Sequence, residues 1–229
     1  EALHPYVFAR ELSNQLPANA VVVTDCGGNV VVMNHAFKTK RGQRYFSNNG
    51  NSPMGFSFAA AIGAWFAAPE RPIICVIGDG GMQMNIQELQ TLKTYGAKVK
   101  VFILNNGIYG ITQQFQRSHY PGRGPEASGP PGPGYRAPDF CAVARAYGLR
   151  IAAIKSPPPQ HLSLQIASVL VYDEPVICDV DITGFATYEP RIAGFATPLE
   201  DMDPRLPREE FRANMIIDPL PGWETGDYK

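Results

Sequence analysis

The chain has 229 residues, 45% of them hydrophobic, and a formal net charge of −1. That length can bury a sizeable core, the near-neutral charge argues against a nucleic-acid or membrane-surface ligand, and no apolar run reaches transmembrane length. No signal-peptide pattern opens the chain, which begins on Glu1 rather than Met; the expectation is a cytoplasmic protein that is a processed or truncated piece.

Apolar patterns alternate along the sequence. A helix is expected over Pro5 to Leu16 and a strand over Ala20 to Thr24. A helix follows Gly27-Gly28, a short strand lies near Arg44 to Phe46, and Ser47 to Pro53 is a loop. Small residues fill a helix from Gly55 to Ala67. The run Ile73 to Ile77 reads as a buried parallel strand. Met82, Ile86, Leu89, Leu92 and Tyr95 then recur at steps of three or four, one face of a helix that Gly96 ends. A second apolar run covers Val99 to Leu104, and a short helix spans Ile108 to Gln116. Pro121 to Pro138, rich in Pro and Gly, reads as a long loop. A helix over Pro138 to Tyr147, a strand over Arg150 to Ile154, a helix over Gln160 to Tyr172 and a strand over Pro175 to Val180 follow. This alternation predicts an α/β fold, a three-layer doubly wound parallel sheet with helices on both faces. One domain is expected over 1–184, with an irregular C-terminal tail over 185–229 packed on it or extending from it. No internal repeat is visible.

Two of the predicted strands end in oxygen-bearing side chains. Gly78-Asp79-Gly80-Gly81 follows the first, Asn105-Asn106 closes the second, and a helix N-terminus lies between them. Glycines let the backbone approach phosphate oxygens, and a helix start offers free N–H groups at the positive end of the dipole. Mg²⁺ takes a near-octahedral set of hard oxygens, one or two from protein and the rest from phosphates and water. Asp79, the Asn106 amide oxygen and a loop carbonyl are therefore expected to hold a magnesium diphosphate, at strand carboxyl ends where ligands bind in such sheets. The bland alternative is a Gly-rich strand-to-helix turn beside a polar turn; the paired Asn on a second strand end favours the site. The four cysteines, Cys26, Cys75, Cys141 and Cys178, are far apart and are expected to be reduced and inert rather than bridged or metal-bound. His35 and His119 stand alone, without a metal-ligand set, and are expected at the surface or in loops.

Gly78-Asp79-Gly80 with Asn105-Asn106 resembles the diphosphate-binding motif of thiamine-diphosphate (ThDP) enzymes. The similarity extends over most of the chain, in the order expected of their diphosphate-binding (PP) domain, and is greatest to the acetolactate synthase and pyruvate decarboxylase group. It is carried by Pro53-Met54-Gly55-Phe56, by Ala59-Ala60-Ala61-Ile62-Gly63-Ala64, by Ile77 to Gly81, by Leu104-Asn105-Asn106-Gly107-Ile108-Tyr109-Gly110 and by Pro138-Asp139-Phe140. The late segment Pro198-Leu199-Glu200-Asp201-Met202 resembles acetolactate synthase-like proteins of bacterial surface-polysaccharide pathways.

The resemblance implies ThDP and Mg²⁺ as cofactors and 1–184 as the PP domain. It implies Asp79, Asn106 and the Ile108 backbone carbonyl as metal ligands, and Gly78, Gly80 and Gly81 as cofactor contacts. Met54 matches the position where the family places a large apolar side chain between the two rings of ThDP; an ordinary core Met at a helix start is the alternative. Asn29 stands where acetolactate synthases carry Gln-His, and is expected either to bond diphosphate or to cap a helix. Thr112, six residues after Asn106, occupies the position where simple pyruvate decarboxylases carry a catalytic Glu, and cannot serve as a carboxylic acid donor. Gln113, Gln114 and Phe115 resemble the acetolactate synthase helix that lines the substrate pocket, with a solvated helix face as the alternative for the glutamines.

In the family a Glu on a separate pyrimidine-binding (PYR) domain activates the cofactor, and the elements of this chain account for one PP-like domain. The implied function is a ThDP/Mg-binding domain or subunit of an enzyme that decarboxylates a 2-oxoacid and transfers the acyl-anion unit to a carbonyl acceptor. A PYR-domain chain or the remainder of the polypeptide would complete it, in a homo- or hetero-oligomer. The alternatives are a split, non-ligating decarboxylase of the sulfopyruvate or phosphonopyruvate type, a non-catalytic assembly domain that keeps the fold, and a nucleotide-binding α/β module; the last lacks a GxGxxG or P-loop pattern here.

Overall fold

β-branched residues dominate the apolar runs and fit a pleated surface buried on both sides. In the computed structural model, which describes residues 3–120, 122–124, 126–130, 132–155, 159–189, 198–202 and 204–228, they form six strands. These are β1 (Val21–Thr24), β2 (Arg44–Phe46), β3 (Ile73–Gly78), β4 (Val99–Asn105), β5 (Arg150–Lys155) and β6 (Val176–Asp181). They make one sheet in the order β2-β1-β3-β4-β6-β5, with every pairing parallel. The charged residue inside β4, Lys100, is 6% exposed. Its Nζ escapes the core by donating to the Glu174 carbonyl at 2.9 Å.

The helix α1 (Pro5–Gln15) precedes the sheet, and α2 (Gly28–Ala36), α3 (Phe56–Ala67), α4 (Asp79–Met84), α5 (Leu89–Tyr95), α6 (Gly110–His119), α7 (Phe140–Ala146) and α8 (Pro159–Leu170) lie in the connections between strands. Side chains alternate across a strand, so each strand feeds two faces. On one face Val23, Cys75 and Val101 pack with Phe58 of α3, Leu92 of α5 and Phe140 of α7. On the other, Phe8 of α1 meets Phe102 of β4 with ring centroids 5.5 Å apart, and α1 packs against α2 and α8. The expected three-layer, doubly wound sheet is what forms. Right-handed crossovers require connections that run in opposite directions along the sheet to cover opposite faces. The β1-to-β2 connection runs one way and the β3-to-β4 connection the other, so the switch point lies between the carboxyl ends of β1 and β3, where such sheets place ligands.

The helix expected through Met82 to Tyr95 is a correction: it forms as α4, a 3-10 turn at Ile86–Glu88, and α5. Asn85 interrupts it at φ −126°, ψ 28°, and its Nδ2 donates to the Gly55 carbonyl at 2.8 Å. Met82, Leu89 and Leu92 are buried as the periodicity requires, but Tyr95 is 59% exposed.

All four cysteines are free; Cys75 and Cys178 are buried, and burial pushes the half-buried Cys26 thiol up to about 12. Among the described residues no helix is long and apolar enough to cross a membrane. The loop expected over Pro121 to Pro138 contains a 3-10 turn at Glu126–Ser128; positions 121, 125 and 131 lie outside the described residues.

The chain divides into two units, Glu1–Thr187 and Tyr188–Lys229. The first holds the whole sheet. In the second, the described residues form a 3-10 turn at Leu199–Asp201 and a helix α9 (Arg208–Asn214). There the Arg208 guanidinium donates to both oxygens of Asp201, at 2.8 and 2.9 Å, and Phe211 lies 5.9 Å from Trp223 between ring centroids.

Candidate functional site

β3 passes into α4 without a loop: Gly78 is the N-cap and Asp79 the first helical residue, with no side chain capping the start. Asp79 is 3% exposed, and its Oδ2 is buried without a hydrogen-bond partner. Burial pushes its carboxyl up to about 7, against the pull of the Gly80 backbone N–H and the neighbouring Tyr135 hydroxyl. That hydroxyl acts across a gap, because it too is buried and makes no hydrogen bond. Burial, then the Asp79 charge, raises the Tyr135 pKa in turn.

The glycines after Asp79 are held bare by their neighbours. A Cβ on Gly80 would lie 2.4 Å from Tyr109 Cε1 and 3.1 Å from Met54 Cε, and one on Gly81 would lie 2.2 Å from Asp25 Oδ2. No side chain fits at either place. Tyr109 stacks on Tyr135 with ring centroids 4.2 Å apart, so two aromatic rings border the strip Asp79-Gly80. Met54 is 37% exposed and immediately precedes Gly55, which takes the left-handed conformation (φ +88°) at the start of α3.

The end of β4 lies beside the end of β3, with Gly78 opposite Leu104 in the parallel register. Asn105 Oδ1 accepts from the Gly107 N–H at 3.2 Å, and Asn106 Oδ1 accepts from the Ile108 N–H at 3.3 Å. Two successive Asx turns therefore set the backbone from 105 to 108. Asn106 is 8% exposed, and its Nδ2 donates to the Phe185 carbonyl at 3.0 Å. Asn105 Nδ2 donates to Asp179 Oδ2 at 3.4 Å. The Gly107 N–H also pulls the Asp79 carboxyl downward, so the two strand ends share one electrostatic neighbourhood.

Asn29 is buried between β1 and β3: Oδ1 accepts from the Asp25 N–H at 3.2 Å, and Nδ2 donates to the Val76 carbonyl at 3.3 Å. Thr112 is exposed on α6. Gln113 beside it is 2% exposed with its Nε2 unpartnered, so it does not lie on a solvated helix face. His35 and His119 are exposed, as expected.

Sequence reasoning missed Asp25, Tyr109, Tyr135 and Asn85. Asp25 is 2% exposed; its Oδ2 accepts from the Gly55 N–H at 3.0 Å and its Oδ1 from the Ser57 N–H at 2.9 Å. Its signal was present, since Asp25 closes an apolar strand just ahead of Gly27-Gly28, the arrangement that marks Asp79. Tyr135 sits in the Pro- and Gly-rich loop, where no periodicity marks a residue.

Among the described residues no group of three or more His, Cys, Asp or Glu is placed to hold a metal ion. A cation here would rely on one carboxylate with amide and carbonyl oxygens, a donor set that suits Mg²⁺. The unpartnered buried oxygen of Asp79 fits that role. An uncompensated buried carboxylate is costly, and a bound cation supplies the missing charge.

Residues 25–180 match the family described as "Thiamine pyrophosphate enzyme, C-terminal TPP binding domain". The chain belongs to that family. It is 37% identical over 164 residues to the probable acetolactate synthase large subunit of Methanococcus aeolicus, covering 72% of this chain and 26% of that protein. It is 34% identical over 181 residues to the acetolactate synthase large subunit of Pyropia yezoensis, covering 79% and 30%. To the acetolactate synthase large subunit of Lactococcus lactis it is 30% identical over 181 residues, again 79% and 30%. The matched segment spans under a third of the length of these curated relatives. The chain is thus a ThDP-dependent C-terminal domain of the acetolactate synthase group, with thiamine diphosphate as its cofactor and Mg²⁺ as the usual partner of that cofactor.

Proposed function

We propose that this domain holds the diphosphate end of ThDP and its Mg²⁺ at the carboxyl ends of β3 and β4, within an enzyme that decarboxylates a 2-oxoacid and transfers the acyl-anion unit to a carbonyl acceptor. The observation that carries the reading is the buried, unpartnered Oδ2 of Asp79 beside a glycine strip on which no side chain fits. In this reading Asp79, the Asn106 side chain and the Ile108 carbonyl hold the cation. Asn106 Oδ1 keeps a lone pair beyond the one it gives to the Ile108 N–H. Gly78 leaves its backbone open to a phosphate oxygen, Gly80 and Gly81 let Tyr109, Met54 and Asp25 close in on the strip behind it, Asn29 braces the β1 end beside them, and Met54 supports the cofactor rings.

When bound, ThDP supplies an electron sink for loss of CO₂ from a 2-oxoacid. This chain's residues fix its position and decide where protons are withheld. Thr112 has no carboxyl proton to deliver, so release of a free aldehyde is slow and a second carbonyl competes for the acyl-anion unit. Gln113, buried with an unused N–H, is the pocket-side donor of the same helix. The residue that activates the cofactor belongs to a PYR domain on the remainder of the polypeptide or on a partner chain, in a cytoplasmic oligomer.

The test is product analysis on the complete enzyme with pyruvate, with and without carbonyl acceptors. Carboligation products are expected to dominate when acceptors are present, and Thr112→Glu is expected to shift product toward acetaldehyde. Acetaldehyde as the main product of the wild type despite supplied acceptors would replace this reading with the non-ligating decarboxylase.

A further inference from the structure

We infer that Asp25 is a positioning residue: it sets Met54 against Gly80 and so fixes the shape of the cradle proposed to hold the cofactor. The inference rests on that reading of the cradle and adds a residue from β1, the strand on the far side of the switch point.

The geometry converges on one peptide. α3 begins at Gly55, which has no side chain to cap its own helix. Asp25 supplies that cap from another strand, with its two oxygens taking the N–H groups of Gly55 and Ser57 at 3.0 and 2.9 Å. An acidic group at a helix start satisfies orphan donors and complements the dipole. Among the described residues Asp25 forms no salt bridge; its carboxyl is met by these N–H groups, the α3 terminus and the neighbouring Cys26 thiol. On its other side, the Gly55 carbonyl accepts from Asn85 Nδ2 at 2.8 Å. Gly55 is thus pinned from β1 and from the end of α4 at once, in a conformation that only glycine adopts freely (φ +88°). Met54 is the next residue back along the chain, and its methyl reaches Gly80.

Asp25 also touches the strip directly. Its Oδ2 occupies the place where a side chain on Gly81 would sit, 2.2 Å from such a Cβ. Gly80 is therefore covered by Tyr109 and Met54, and Gly81 by Asp25; the Met54 and Asp25 contacts trace to one carboxyl group. Asn29 completes the brace by binding the Asp25 N–H and the Val76 carbonyl, at 3.2 and 3.3 Å, which ties the β1 end to β3. Both oxygens of Asp25 are directed at the helix start that immediately follows Met54, so the carboxyl fixes the peptide from which Met54 reaches the strip.

The experiment is calorimetric titration of ThDP with saturating Mg²⁺ into the complete enzyme, for wild type, Asp25→Asn, Met54→Ala and the double variant. Asp25→Asn keeps the side-chain volume but turns an NH₂ toward one of the two N–H donors. It is expected to weaken ThDP about tenfold or more, the range for a lost hydrogen bond to a charged group. The two substitutions are expected to be non-additive by at least about threefold, as for residues sharing a contact network. Asn85→Ala, which frees the same peptide from the other side, is expected to weaken ThDP and to couple to Met54→Ala likewise. It keeps the inference testable if Asp25→Asn fails to fold. Asp25→Asn or Asn85→Ala that lowers the melting temperature with ThDP affinity unchanged, or losses that simply multiply with that of Met54→Ala, would overturn the inference. Asp79→Ala separates the two claims. If it abolishes binding while Asp25 and Met54 act independently, the positioning role alone fails; if it leaves binding intact, the cradle itself is wrong and the inference falls with it.

Discussion

Gly78 and Gly80 stand two residues apart in one motif and predict opposite outcomes. A Cβ on Gly80 meets Tyr109 Cε1 at 2.4 Å, whereas nothing lies within 4 Å of one on Gly78, whose φ of −79° suits any residue. Gly80→Ala is expected to cost about 1–3 kcal/mol in denaturant melts, the range for an overpacked site. Gly78→Ala is expected to leave stability within about 0.5 kcal/mol while weakening ThDP, because open space beside the backbone is what a phosphate needs. A second residue-scale prediction concerns the unit Tyr188–Lys229. Hydrogen bonds from Arg208 hold the Asp201 carboxyl below the usual carboxylate range. A depressed folded-state pKa gives stability that is present above the ordinary value and lost as pH falls through the lowered one. Hydrogen-exchange protection over 204–228, relative to the intrinsic rate at each pH, should therefore fall below about pH 4, and Asp201→Asn should flatten that dependence by removing it from the start. Asp79 and Asn106 were legible in the sequence because their chemistry travels with glycines and strand ends. Asp25 was legible by the same logic. Tyr135 was not, since its place beside Asp79 is set by the path of a loop.

At the scale of elements, apolar runs located the central strands β1, β3, β4 and β6 to within a residue or so, because a strand buried on both faces has little room for polar side chains. The same periodicity joined α4 and α5 into one helix. Side-chain spacing reports which face is buried and says nothing of a backbone break whose cause is tertiary, here the Asn85 bond to the Gly55 carbonyl. The tilted contact of Phe8 with Phe102 links α1 to the middle of the sheet, and both rings are fully buried. Phe102→Ala is expected to cost about 3–5 kcal/mol, read as a lower denaturation midpoint with unchanged m-value. Loss of m-value instead would mean that α1 had detached.

The whole molecule is organised by where its connections reverse. Strand order was beyond the sequence, because pairing is non-local and a run such as Val21–Thr24 carries no mark of its neighbours. The sheet places β1 between β2 and β3, and that placement brings Asp25 and Asn29 to the same crevice as Asp79. The matched segment spans under a third of its acetolactate synthase relatives, so the chain alone is expected to show no turnover of pyruvate; turnover by this chain without any partner would contradict the proposed division of labour. The central claim is that Asp79 anchors ThDP through a divalent cation. It is tested most directly by calorimetric titration of ThDP into the complete enzyme, with Mg²⁺ or with chelator, for wild type and Asp79→Ala. The account predicts binding by the wild type that disappears with chelator, and no binding by Asp79→Ala in either condition. An unchanged, metal-independent affinity in Asp79→Ala would contradict it.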